Sequence, residues 1–235
     1  MAAFVLVHGA WGGAHGWRHV RRRLTAAGYD ATAPSLTGIG ERVHLVSPQV
    51  GLSTHVTDVV HHVLYEDLTD VVLVGFSYGG MVVTGVADRA PERVAALAYL
   101  DAFLPEDGQS LFDINIPANT QRFIAQAGAS GGLLVPSPPA AFFNVNAADA
   151  GRVDALATPF PLGCFTEKIK LSGAHKTVRK RAYVHGTVLP RESPFKPFYE
   201  RAKADPAWHV SALACGHHVM LDEPERVTAV LENLL

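Results

Sequence analysis

The stretch Asp70 to Val83, DVVLVGFSYGGMVV, leaves this chain few folds to choose from. It opens with the apolar run Val71-Val72-Leu73-Val74, the pattern of a strand buried on both faces. Gly75-Phe76-Ser77-Tyr78-Gly79 follows and fits G-x-S-x-G, after which Met81, Val82, Val83 and Val86 continue as a helix. A strand-to-helix turn this tight crowds its central residue, so the positions two before and two after must be nearly free of side chain. Gly75 and Gly79 meet that need and leave the Ser77 hydroxyl exposed above the strand end. Glycine-rich turns also produce this pattern by chance. The strand before it and the helix after it favour a nucleophile elbow.

The same strand-then-helix rhythm runs along most of the chain. Ala3 to Val7 reads as a buried strand, and Trp17, Val20 and Leu24 give His15 to Ala27 the apolar stripe of an amphipathic helix. On that helix Arg18 and Arg21 to Arg23 are expected to face solvent. Tyr29 to Ala33 is the next strand, stopped by Pro34, and Leu36 to Arg42 is a turn-rich loop. Ser53 is a suitable N-cap for a helix carrying Val56, Val59, Val60, Val63 and Leu64. His61 and His62 are adjacent on that helix and so point apart, which makes them a poor metal pair. Further strands are expected at Val94 to Leu100, Ala182 to Gly186 and Trp208 to Leu213, with helices at Pro197 to Ala204 and Pro224 to Leu235. The basic residues Lys176, Arg179, Lys180 and Arg181 read as a solvated approach to a strand.

Between Pro105 and about His175 the rhythm stops. Prolines alternate there with Phe112, Phe123, Leu133, Leu134, Phe142, Phe143, Phe160 and Phe165, and charges are sparse. A stretch this long without a sheet period, yet too apolar to be disordered, is expected to form an inserted cap over the site. The division is a core of residues 1–105 and 176–235 with a cap of 106–175. The whole is an α/β fold, a mostly parallel central sheet flanked by helices.

Composition narrows the function. The 235 residues are 48% hydrophobic and 18% charged, with a net charge of −2, so nothing favours nucleic acid or an anionic membrane surface. Cys164 and Cys215 are too few for a disulfide framework or a metal knuckle. No apolar run reaches the roughly 18 residues of a membrane helix. Met1 to Val7 lacks a basic leader and a cleavage site, so a strand is expected rather than a signal peptide, and a cytoplasmic location. A homodimer is one assembly open to such a chain.

A serine hydroxyl is a weak nucleophile at neutral pH, so an imidazole within hydrogen-bond reach must take its proton. His217, in the loop between the last strand and the last helix, occupies the place that the order serine, acid, histidine requires. It is preferred to His218 because it directly follows Gly216. Attack on a carbonyl also needs two N–H donors for the oxyanion. The glycine-rich turn His8-Gly9-Ala10-Trp11-Gly12-Gly13 would supply the backbone N–H of Ala10, and Tyr78 the other, although such a turn can also be a plain connection.

Phe4-Val5-Leu6-Val7-His8-Gly9-Ala10-Trp11, Leu36 to Arg42, Gly75 to Met81 and Gly216-His217 with Glu223-Pro224 together resemble the α/β-hydrolase superfamily. Within it they are similar to the branch of plant methylesterases, hydroxynitrile lyases and bacterial pyrethroid-hydrolase-like carboxylesterases. The resemblance covers most of residues 3–105 and 181–235, and the cap only weakly. It implies an ester hydrolase that uses no cofactor and no metal, with Ser77 as nucleophile and His217 as base. Trp11, Phe103, Phe112 and Phe123 are the expected apolar contacts to a small hydrophobic, uncharged ester.

One departure concerns the acid. The branch carries it just after the strand matching Ala182 to Gly186, where this chain reads Thr187-Val188-Leu189-Pro190. Asp101, at the end of the strand Val94 to Leu100, and Glu192 are the two substitutes. A strand end holds a side chain more rigidly than a proline-flanked loop, which favours Asp101. Two other functions fit the same scaffold: a hydroxynitrile lyase-like cleavage of a C–C bond, and a ligand-binding protein of low turnover. Lyases of the branch place a lysine beside the catalytic histidine, and here that neighbour is His218.

Overall fold

A computed structural model describes residues 3–235; Met1 and Ala2, which begin the first apolar run and the expected core segment, lie outside the described residues. In chain order the elements are β1 (Ala3–Val7), α1 (Arg18–Ala26), β2 (Asp30–Thr32), α2 (Leu52–Tyr65), β3 (Val71–Phe76), α3 (Gly79–Arg89) and β4 (Val94–Leu100). After β4 come α4 (Leu111–Ile114), α5 (Pro117–Ala129), β5 (Leu134–Val135), α6 (Ala147–Leu156), β6 (Phe160–Pro161) and α7 (Gly163–Thr166). The chain ends with β7 (Lys180–Gly186), α8 (Lys196–Lys203), β8 (Trp208–Leu213), α9 (Val219–Asp222) and α10 (Pro224–Glu232).

Six strands form one sheet in the order β2-β1-β3-β4-β7-β8, and every neighbouring pair in it is parallel. Burial on both faces explains the apolar runs that mark β1, β3 and β4 in the sequence. Alternation divides each strand between two cores. Phe4, Leu6, Val72, Val74, Ala98 and Leu100 pack against Trp17, Val20, Leu24, Val227 and Leu231 from the α1 and α10 side. Val5, Val7, Leu73, Leu97 and Tyr99 face the other way, against Val56, Val59 and Val63 of α2 and Met81, Val82 and Val86 of α3. The aromatics of the segment between β4 and β7, among them Phe123, Phe160 and Phe165, belong to this second core. That segment holds four α-helices and the antiparallel pair β5–β6.

Two local expectations are corrected. Helix α2 is capped by Gly51, with Ser53 already in its first turn, because the Ser53 N–H is taken by Oε2 of Glu167 at 3.1 Å. Arg18 is half-buried rather than solvated, and its guanidinium lies 2.5 Å from Oδ1 of Asp149, tying α1 to α6. Arg23 likewise pairs with Glu225 of α10. Among the described residues no helix is long and apolar enough to cross a membrane, and no cluster of His, Cys, Asp and Glu could hold a metal ion.

Candidate active site

Ser77 follows β3 directly and takes a left-handed conformation, φ 55°, before Tyr78 opens α3. A non-glycine residue in that region is strained and persists only where its surroundings hold it. Here the holding groups are backbone: the Ser77 N–H donates to Leu100 O (3.2 Å), and Ser77 O accepts from the N–H groups of Gly80 and Phe103 (both 3.1 Å). The flanking glycines are required by contact. A Cβ on Gly75 would lie 2.7 Å from Gly79 O, and one on Gly79 2.7 Å from Val7 O.

The turn after β1 runs against the elbow, since a Cβ on Gly9 would come within 2.8 Å of the Ser77 Cβ. His8 clasps this turn. Its Nδ1 lies 2.7 Å from Gly9 O, so Nδ1 carries the hydrogen, and Nε2 accepts from the Leu36 N–H at 3.0 Å. Burial lowers its pKa to about 4, and the imidazole is neutral near pH 7. Among the described residues the N–H groups of Ala10 and Tyr78 donate to no protein acceptor, whereas those of Gly80 and Met81 are bonded to Ser77 O (3.1 Å) and Tyr78 O (2.9 Å).

His217 is buried in the loop between β8 and α9, its N–H donating to Phe143 O at 3.0 Å. Its ring stacks on Phe195 (centroids 4.6 Å, planes 6° apart) and lies 4.6 Å from the ring of Phe76. Nδ1 of His217 lies 2.7 Å from Oδ2 of Asp101, which leaves Nε2 as its second nitrogen. Asp101 follows β4 directly at φ 42°, is 0% exposed, and donates its own N–H to Val184 O at 2.7 Å. Glu192 lies in the exposed loop after β7. Of the two carboxylates, only Asp101 meets His217. His218, by contrast, holds an Nδ1 with no partner among the described residues, and burial keeps its pKa well below the usual histidine range.

Ser77, His217, Ala10 and Trp11 stand between two chambers that all four line. One is walled by Phe103, Phe123, Phe142, Phe143, Phe165 and Phe195. The other has His15, Arg18, Arg152 and His218 in its wall along with Met220 and Leu221. Trp11, Phe103 and Phe123, the expected apolar contacts, line the aromatic chamber beside Ser77. Phe112 does not: it lines neither chamber and instead packs behind Phe165, ring centroids 5.5 Å apart. A helix of four residues gives α4 one buried position, Leu111, and the phenylalanine falls beside it.

Sequence reasoning also missed His185, whose Nδ1 lies 2.6 Å from Oδ1 of Asp101. The available signal is a histidine one residue before the end of β7, the strand beside that of Asp101 in the sheet.

Residues 4–230 match the Alpha/beta hydrolase family. The chain is 39% identical, over an alignment of 243 positions spanning 100% of both proteins, to the carbendazim hydrolyzing esterase of Nocardioides sp. (strain SG-4G). It is 35% identical to the alpha-hydroxynitrile lyase of Arabidopsis thaliana, over 44% of this chain and 40% of that protein. Among solved structures, an extracellular alpha/beta-hydrolase from a Paenibacillus species superposes with a TM-score of 0.85 at 24% identity, covering 100% of this chain and 99% of that one.

Proposed function

We propose that this chain, which belongs to the alpha/beta hydrolase family, is a serine carboxylesterase acting on a small hydrophobic, uncharged ester. The observation that carries this reading is the gathering of three groups: a strained Ser77, a His217 that lines the same two chambers, and a buried Asp101 at 2.7 Å from that imidazole. The esterase named above, alike over its whole length, supports the same reaction class.

In this mechanism Nε2 of His217 takes the Ser77 proton as Oγ attacks the acyl carbon, and Asp101 stabilises the imidazolium that forms. The N–H groups of Ala10 and Tyr78 receive the oxyanion. Collapse of the tetrahedral intermediate breaks the bond to the alcohol oxygen, which leaves with the proton from His217. Water, deprotonated by the same imidazole, then attacks the acyl-enzyme and frees the acid and Ser77. The aromatic chamber suits the apolar part of the ester, and residues 106–175 act as its cap. The lyase alternative is weaker, because His218 occupies the lysine's place and burial keeps it uncharged.

The test is hydrolysis of p-nitrophenyl esters of rising acyl length, with fluorophosphonate labelling, by wild type and Ser77→Ala. Turnover and labelling that both vanish in Ser77→Ala support the esterase. A wild type inert on every ester and unlabelled overturns it, in favour of the lyase or a low-turnover binding protein.

A further inference from the structure

The Asp101 carboxylate is shared between two imidazoles. Oδ2 meets Nδ1 of His217 at 2.7 Å, while Oδ1 meets Nδ1 of His185 at 2.6 Å and the Gly186 N–H at 3.3 Å. His217 lines both chambers and His185 lines neither, so the two rings are not interchangeable. We propose that His185 is a positioning residue that holds Asp101 in register for His217 and sets how strongly that carboxylate draws on the catalytic imidazole. The inference rests on the esterase reading above.

The physical case begins with the location of the acid. Asp101 leaves β4 in a left-handed conformation and is wholly buried, so water cannot satisfy its second oxygen. A carboxylate free to rotate would present either oxygen to His217 and would orient its ring poorly. The His185 N–H removes that freedom by claiming Oδ1. His185 is in turn fixed by β7, by its neighbour Gly186, and by the ring of Tyr199 on α8 (centroids 5.0 Å, planes 30° apart). A donor on Oδ1 also draws charge from Oδ2, which moderates the stabilisation of imidazolium at His217.

The ionisable groups around His185 are few. Asp101 faces it from β4, Tyr199 from α8, and Tyr183 is on its own strand; His217 and Cys215 stand across the shared carboxylate in the loop after β8. Burial keeps the Tyr183 phenol neutral, well above its usual range, and pushes the Cys215 thiol up to about 12. Removing the His185 donor leaves Oδ1 with the longer Gly186 contact alone. The carboxylate then holds the His217 proton more tightly, and the acidic limb of the kcat/KM profile moves to higher pH.

The experiment compares wild type, His185→Phe, His185→Asn, Ser77→Ala and Asp101→Asn on one p-nitrophenyl ester from pH 5 to 9. Phenylalanine keeps a ring against Tyr199 without the donor, and asparagine offers a donor near the position of Nδ1 without the ring. His185→Phe is expected to lower kcat by about tenfold or more with KM little changed and the acidic limb raised, and His185→Asn to restore most of both. Wild-type kcat and pH profile in His185→Phe overturn the inference, as does a His185→Asn enzyme as impaired as His185→Phe. Should His185→Phe not fold, His185→Asn decides alone: near wild-type values sustain the inference, and a kcat as low as that of Asp101→Asn ends it. Undiminished turnover in Ser77→Ala would instead remove the esterase reading itself.

Discussion

The phenol of Tyr78 lies 2.9 Å from Nδ1 of His55, and this fully buried contact ties the residue beside Ser77 to helix α2. The other nitrogen of His55, Nε2, lies 2.9 Å from Thr37 O, and a carbonyl only accepts. Nε2 therefore carries the hydrogen, Nδ1 accepts, and the Tyr78 hydroxyl is the donor. Tyr78→Phe keeps the backbone N–H assigned to the oxyanion but leaves Nδ1 with only the Cys164 thiol, 3.6 Å away. Urea denaturation is expected to show a loss of about 1–2 kcal/mol, the range for a buried acceptor deprived of its partner, while ester turnover stays within a few-fold of wild type. Unchanged stability would show that the pair does not anchor the elbow.

His8 and His55 make the protein sensitive to acid. Burial lowers each pKa from 6.5 to about 4, so the native state takes up fewer protons than the unfolded chain across that interval. Their contribution is fully present above the unfolded value of 6.5 and is lost as pH falls towards 4. The difference is worth about 3 kcal/mol per histidine, and it grows fastest between pH 6 and 4. For His8 the geometry enforces neutrality, because a proton on Nε2 would face the Leu36 N–H. Thermal melts at pH 7, 6, 5 and 4 are expected to show a falling midpoint, with a shallower slope in His55→Gln. A midpoint flat from pH 7 to 4 would contradict the buried neutral state of both rings.

These histidines also show where the sequence stopped being readable. Val94–Leu100 was legible to the residue, because a strand covered on both sides demands an apolar run that ends where cover ends, whereas Trp208–Leu213 is a half-exposed edge strand that its β-branched and aromatic residues and flanking turns mark out. The elbow was legible because its crowding permits only glycine at two positions. His217, which its place before the last helix singles out in the sequence, lies 2.7 Å from Asp101. By contrast, the Asp101–His185 contact joins residues 84 apart, and no local period records it. The same holds for the Arg18–Asp149 pair, which turns an expected solvated arginine into a tie between helices. Phe112 was named for its type rather than its orientation, and a helix as short as α4 has too few positions to reveal which face is buried.

The choice of acid makes a sharp contrast between two variants. Asp101→Asn keeps the size of the side chain but removes the charge that faces His217 at 2.7 Å, and its amide can present a donor where Nδ1–H also donates. A kcat lower by about 10^3–10^4 is expected, with KM little altered, as for an acid that orients and stabilises an imidazolium. Glu192→Gln alters an exposed loop carboxylate and is expected to leave kcat within about twofold, as surface changes away from a site do. The opposite ranking in steady-state kinetics would move the acid to Glu192.

Two glycine-to-alanine changes in helices are expected to have opposite signs. In α5, Gly128 is exposed and an added Cβ meets nothing within 4 Å, so alanine restricts only the unfolded chain. Gly128→Ala should raise stability by about 0.5–1 kcal/mol with unaltered turnover. In α3, a Cβ on Gly80 would overlap the carbonyl oxygen of Phe103 and lie 3.0 Å from the Ala102 Cβ. That segment cannot easily retreat, because the Phe103 N–H is bonded to Ser77 O at 3.1 Å and Asp101 immediately precedes it. The strain in Gly80→Ala must then be shared between the elbow and the acid. A stability loss of about 1–3 kcal/mol and a kcat reduced at least tenfold are expected from overpacking next to reacting groups. Paired urea curves and ester kinetics measure both, and a Gly80→Ala enzyme as stable and active as Gly128→Ala would show that the backbone contact between α3 and the segment after Asp101 yields freely.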